Sequence, residues 1–493
     1  MFLTDQLLLN FQRCHRQAFL EAYGDPNARG QVNDFLLKLG QDKQRFQQEV
    51  LSDRTVVQPN YPHHDWEAGA VATLDLMRQG TSVIRSGVLL SPKTEQFTLM
   101  TTPDLLIRRP GVSALGDWLY VPVDIKLSKR PKLEYQILSA YHAEVLSVVQ
   151  GTSSEMAWLY LREKGWYSVD LPKVMPQMDE LLTRLLDLLA HQVEPEVFIA
   201  RNRCSMCVWF DHCYAIAQSQ NHLSLLPGVT PSRYPVLQAH RLDTAAALAQ
   251  SDPIQLHTKT GLGREVSSKL VSQAQAFVDD RPVFLTGSLG FCEINPLPTA
   301  PIELYFDIEA EPSLNLVYLH GVLLVDRQRK QEQFYPFLAK QPEEESQAWL
   351  ELVNLFQRYP DAPIFHFCSY EVQTVARLAK LHGAPDRFFE SVLPRFFDLH
   401  DWVTRTVSLP IESYTLKLIA RWVGFEWRNS AANGAQAICW YSEWLETGNT
   451  EFLEDIVLYN EDDCRATYQV KDWLAQFLQE QLELNLSPLA CGF

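Results

Sequence analysis

Six oxygen-bearing side chains between residues 307 and 463 have the types and spacing that divalent-metal chemistry needs. In Glu303-Leu304-Tyr305-Phe306-Asp307-Ile308-Glu309, polar and apolar residues alternate as along a strand, so Asp307 and Glu309 share one face while Phe306 and Ile308 pack on the other. Two carboxylates so placed grip one divalent ion. An acidic strand face turned to water has the same pattern, because Glu303, Tyr305 and Glu311 lie on that side too. A second segment, Leu458-Tyr459-Asn460-Glu461-Asp462-Asp463, shifts the weighing: Tyr459 and Asp463 stand four apart and share a helix face, aiming a phenol and a carboxylate into one site. Between them the apolar run Ile364-Phe365-His366-Phe367 leads to Glu371, and Asp398 offers a further carboxylate.

The first half of the chain holds other candidates. Cys204, Cys207 and Cys213 form C-x2-C-x5-C, with Cys14 as a distant fourth thiol. Four thiolates can enclose one metal centre, and the spacing leaves zinc and iron-sulfur both open. Three cysteines this close, flanked by Arg201, Arg203 and Asp211, fit poorly with a set of buried free thiols. Between them come Pro103-Asp104 and the strand-like Val121-Pro122-Val123-Asp124-Ile125-Lys126, in which alternation puts Asp124 and Lys126 on one face. Two such acids hold a metal, and the lysine stabilises developing charge and positions a water. Farther on, Thr260-Gly261-Leu262-Gly263-Arg264 has the small-turn form of a helix-hairpin-helix, which presents backbone N–H groups to phosphate, with Lys259 and Arg264 nearby.

Positioning these groups takes more than one domain. The chain has 493 residues, 46% hydrophobic and 21% charged, and single cores stop growing near roughly 250 residues. We read an α/β multidomain protein: residues 1–215, with strands at 97–108 and 118–127 and helices around them; a helical connector over 216–298, ending in the Gly- and Pro-bearing GSLGFCEINPLPTAP; and an α/β unit over 299–485. In the last unit, strands at 302–309 and 316–325 precede helices near 344–357, 370–382, 413–423 and 451–476. No basic start precedes a long apolar run, and no stretch approaches the ~20 apolar residues of a membrane span, so a cytoplasmic protein without a membrane partner is expected. Nine cysteines without a secretory signal argue against a disulfide framework. A net charge of -17 repels phosphate, so any nucleic acid must be held by local basic patches or bound ions.

The third unit resembles the ribonuclease-H-like DEDD exonucleases of the branch marked by Tyr-x-x-x-Asp. Asp307 and Glu309 match the first motif and Tyr459 and Asp463 the last; the middle motif normally ends in Phe-Asp, where this chain has Tyr370-Glu371. The resemblance implies a 3'-to-5' exonuclease in which Mg²⁺ or Mn²⁺ is held by Asp307, Glu309, Glu371 and Asp463, with Asp398 as a substitute for Glu371 and Tyr459 orienting the attacking water. The first unit, of restriction-endonuclease-like fold, resembles the RecB-like nucleases of the PD-(D/E)xK superfamily that carry a 4Fe-4S cluster. That implies catalytic roles for Asp104, Asp124 and Lys126 and cluster ligation by Cys14, Cys204, Cys207 and Cys213. Where that family has a histidine ligand on an early helix this chain has Gln48, which leaves Glu49 as the ligand, and Gln136 and Tyr141 are spaced wrongly to face one site together. Taken together, the resemblances imply a DNA nuclease of repair or recombination, acting on DNA rather than RNA, with a helicase as the partner that would feed it a strand.

Overall fold

The computed structural model describes residues 1–285, 297–385 and 387–486. The expected linker, GSLGFCEINPLPTAP, falls largely outside them. The chain divides into two units, Met1–Ile216 and Ala217–Phe493, and the connector helices belong to the second.

In the first unit a five-stranded sheet runs in the order Val83–Arg85, Leu105–Ser113, Gly116–Lys126, Met156–Leu161, Gly165–Asp170. Its pairings are antiparallel except that Gly116–Lys126 lies parallel to Met156–Leu161, and the helix Leu133–Gln150 makes the crossover between those two strands. A three-stranded sheet aligns Phe2–Thr4 parallel to Thr98–Thr101, which pairs in turn with Leu89–Pro92. The expected strand at 97–108 is thus two strands in different sheets, broken at Thr102-Pro103-Asp104. The helix Leu171–His191 buries Val174, Met178, Leu182, Leu185 and Leu189, a stripe at helical spacing, into the core with Leu8, Phe11, Tyr120, Tyr141 and Leu159.

In the second unit the sheet order is Gln331–Leu338, Leu316–Asp326, Ile302–Glu311, Ile364–His366, Phe396–Asp398. The first three strands are antiparallel and the last two parallel. Ten of the eleven residues of Leu316–Asp326 are buried, the signature of a strand covered on both faces. One face packs on the helices Glu345–Arg358 and Tyr370–His382 through Phe306, Ile308, Trp349 and Phe356; the other receives the helix Glu451–Leu486.

That second face is where the acidic strand points, and it is not solvated. Glu303, buried, pairs with the equally buried Lys471 at 2.9 Å and accepts from Tyr305 at 2.7 Å, while Arg327 bridges Glu303 and Asp472. Removing one partner of such a buried pair costs about 3–5 kcal/mol, so the ladder pins the long helix against the strand and fixes its register.

Candidate active site

Asp307 and Glu309 leave the strand Ile302–Glu311 on the helix-facing side, and Tyr459 and Asp463 come down to them from the helix Glu451–Leu486. Asp307, Glu309 and Asp463 each bring a ligand atom within 4.8 Å of the others, the one such set among the described residues. Burial drives all three carboxyls towards their neutral form, and repulsion by Asp463 adds to it for Asp307 and Glu309. Asp307 is raised well above the usual range by burial, then by Asp463, Glu309 and Glu371; Glu309 is raised likewise, and Asp463 is pushed up to about 7.

Two side chains and a glycine that the motifs did not reveal hold this set. Trp427 Nε1 donates to Asp463 Oδ1 at 2.7 Å, inside the protein. Asn460, fully buried, donates from Nδ2 to Asp307 Oδ2 at 2.7 Å and also hydrogen-bonds to Glu309. Gly321 pairs with Asp307 across the sheet, and a Cβ there would stand 1.6 Å from Asn460 Oδ1, so the amide reaches Asp307 only because residue 321 has no side chain. A signal for Asn460 exists in the sequence: Ile456, Asn460, Asp463, Thr467 and Lys471 recur at three- and four-residue steps on the buried stripe of the helix, and polar residues on such a stripe require partners. Trp427 has no local signal.

Tyr459 hydrogen-bonds to Asp463, and burial followed by the charges of Asp463, Glu309 and Asp307 pushes its phenol far up. Glu371 is buried in the first turn of Tyr370–His382, near enough to Asp307 to raise its pKa, but outside the compact three-acid set. Its Oε2 lies 3.4 Å from His366 Nδ1 and has no hydrogen-bond partner. Asp398 is otherwise engaged: one oxygen caps the helix Leu399–Thr406 and accepts from Cys368 N at 3.0 Å. Between Glu371 and Asp398, the geometry favours Glu371.

Residues 304–475 match the family model of the RNase H superfamily, RNase_H_2. This segment is an RNase H-like domain. No curated protein matches the chain. The RNase H-like domain takes in every acid of the three-residue set and Tyr459, whereas the match leaves the whole first unit outside. The connector docks on the same unit, with Gln273 donating to Leu409 O at 2.6 Å and Tyr414 donating to Gln273 at 2.7 Å. Its hairpin joins Pro253–Thr260 to Arg264–Asp279, with Gly261 left-handed at φ 71°, Gly263 as the N-cap, and Lys259 and Arg264 exposed.

In the first unit, pairing of Leu105 with Val123 sets Asp104 beside Asp124 at a cavity of about 750 Å³ that Lys126 also lines. Burial opposes the charge of Asp124, but Lys126 and His142 outweigh it and hold this carboxyl well below its usual range. The early helix, Asp34–Leu51, corrects one expectation. Lys43 and Gln47, one turn apart, are the residues that reach Asp104; Glu49 lies about 200° around the helix from Gln47 and is exposed, so it does not supply a ligand there. His142, from the crossover helix, was also missed: it is buried and bonds to Thr101 on one nitrogen and to Asp124 on the other. Gln136 turns to Pro131 O and Tyr141 is buried on Leu3 O, in line with their spacing.

The four cysteines are half-buried, and the thiol pKa values of Cys204, Cys207 and Cys213 are raised by burial first, with Cys14 adding to the rise in each case; Cys207 is pushed up to about 11. Their sulfurs do not form a set within 4.8 Å. Among the described residues no helix is long and apolar enough to cross a membrane.

Proposed function

We propose that the chain is a metal-dependent nuclease whose RNase H-like domain removes nucleotides from the 3' end of DNA, in repair or recombination. The convergence of Asp307, Glu309 and Asp463, from two elements far apart in sequence, carries this reading. Two buried carboxylates and a half-buried one, crowded together, need a cation, and an all-oxygen donor set suits Mg²⁺ or Mn²⁺. The orphaned, buried oxygen of Glu371 supports it as the fourth acid. When bound, such ions stabilise the attacking and leaving oxygens of an in-line displacement at phosphorus. Tyr459, held protonated by its surroundings, serves as a hydrogen-bond donor that orients the attacking water and does not take its proton. The test is digestion of 3'- and 5'-labelled single-stranded DNA, with an RNA strand alongside, in Mg²⁺ or Mn²⁺. Early release of the 3' label by wild type and its loss in Asp307→Ala is the expected result; unchanged digestion by Asp307→Ala sinks the reading.

The proposal includes a 4Fe-4S cluster on Cys14, Cys204, Cys207 and Cys213, tying the start of the first unit to its end. A tetrahedral zinc, with Zn–S near 2.3 Å, would draw its sulfurs to about 3.8 Å of one another. A cubane cluster keeps them farther apart, which suits thiols that influence one another's ionisation without crowding within 4.8 Å. Anaerobically purified protein is then expected to be brown, with a broad shoulder near about 400 nm that Cys204→Ala loses. A colourless protein containing stoichiometric zinc would overturn this part.

A further inference from the structure

The resemblance of the first unit places a divalent ion on Asp104 and Asp124, and the donor set there does not fit one. Asp104 Oδ1 accepts from Gln47 Nε2 at 2.9 Å and from Lys43 Nζ at 3.3 Å, and its Oδ2 accepts from Ile125 N at 2.8 Å. Asp124 Oδ2 is shared by His142 Nε2 at 3.1 Å and Lys126 Nζ at 3.4 Å, while its Oδ1 stands 3.5 Å from Asp104 N. Asp5, the third acid lining the cavity, turns one oxygen to Thr102 N at 3.1 Å. Every oxygen of the Asp104–Asp124 pair therefore faces a donor. Among the described residues, no three acids or histidines of this cavity bring ligand atoms within 4.8 Å of one another, in contrast to the RNase H-like domain.

We propose that this cavity works without a metal: the Lys43 ammonium takes the place of a divalent ion beside Asp104 and, with Lys126, forms a cationic seat for a phosphodiester of the bound strand. An ammonium carries one charge and only donors. It attracts a phosphate and hydrogen-bonds to it, but it cannot bind a water as a ligand and acidify it as a metal does. Lys43 suits the outer position, its side chain 42% exposed, whereas Lys126 is 14% exposed and forms the inner wall with Asp124. A cavity of about 750 Å³ has room for a nucleotide. The first unit then grips and the RNase H-like domain cuts; the inference rests on the proposed function only in taking the ligand to be a nucleic-acid strand.

Two measurements on the full chain test it. In protein carrying Asp307→Asn and Asp463→Asn, which silence the C-terminal acids, Mn²⁺ titration followed by electron paramagnetic resonance should detect no tight site. Adding Lys43→His should create one, and Asp104→Asn should abolish it again. Tight Mn²⁺ binding while Lys43 is present, lost on Asp124→Asn, overturns the proposal. In EDTA, fluorescence anisotropy with a labelled single-stranded oligonucleotide should show Lys43→Gln binding several-fold more weakly than wild type, with a salt slope reduced by about 0.7. Equal affinity and slope overturn the phosphodiester seat. Failure of the nuclease reading would show separately, as digestion unaffected by Asp307→Ala, and thermal midpoints of each variant report folding.

Discussion

Asp463→Asn is expected to abolish hydrolysis while raising the thermal midpoint of the metal-free protein. Asparagine keeps the shape of the side chain, can still accept from the Trp427 indole and removes the charge that pushes up the pKa values of Asp307 and Glu309. Relief worth about 1 kcal/mol lifts the midpoint of a domain of this size by about 2–4 °C. The pH dependence follows from the direction of the shifts. These carboxyls hold protons in the native state that the unfolded chain has released, so between the ordinary carboxylate range and about 7, where Asp463 titrates, the native state binds more protons. Stability of the wild type in EDTA is therefore full below that window and is lost as pH rises through it. Asp463→Asn flattens the fall. Saturating Mg²⁺ reverses the ranking, because it stabilises wild type by mass action and the variant far less. Hydrolysis should drop about 10³-fold or more, equivalent to ~4 kcal/mol of transition-state stabilisation. Differential scanning fluorimetry from pH 5 to 8, with EDTA or Mg²⁺, checks the first part and single-turnover digestion the second. A variant less stable than wild type in EDTA throughout would mean that the three acids are held by hydrogen bonds and do not form a metal site.

The sequence made these acids visible because their signals are local. Period-two alternation around Asp307 and Glu309, and a four-residue step from Tyr459 to Asp463, are set by strand and helix geometry and survive any arrangement of the rest. Whether the acidic strand faced water or a partner was a different kind of question. Its answer lies in Lys471 and Arg327, which meet Glu303 only after the long helix has docked. The same limit hid Trp427 and Gly321, whose roles exist only across the sheet or between elements. In the first unit, alternation put Asp124 and Lys126 on one face, and they line one cavity, whereas the expectation of Glu49 as a ligand fails because Asp104 meets the helix face that carries Lys43 and Gln47, a register set by tertiary packing. The strands Gln331–Leu338 and Phe396–Asp398 were likewise missed: the first is an edge strand with mostly exposed or half-buried residues, and the second spans only three residues.

Gly321→Ala should cripple the site without touching a ligand. The added methyl would meet Asn460 Oδ1 at 1.6 Å, and Asn460 has nowhere to retreat, since it is fully buried and its neighbour one turn on, Cys464, donates to Gly321 O at 3.4 Å. Either the helix lifts from the strand or the amide swings away, and in both cases Asp307 loses its 2.7 Å hydrogen bond and its spacing to Asp463. Overpacking of this kind costs about 1–3 kcal/mol of stability, and a displacement of about 1 Å among reacting groups costs about 10²-fold in rate. The pairing of Gly321 with Asn460 supplies a control that a general folding defect would not meet. Asn460→Ala alone removes the bond to Asp307, lowers activity and opens the space, so Gly321→Ala added to it should cost little further stability. A double-mutant cycle on thermal midpoints and on the Mn²⁺ concentration giving half-maximal rate measures this coupling. Additive effects, or a Gly321→Ala protein with wild-type turnover, would show that Asp307 is positioned by the strand alone. Strong coupling would place the precision of the metal site in a contact between a residue without a side chain and a buried amide, neither of which binds the ion.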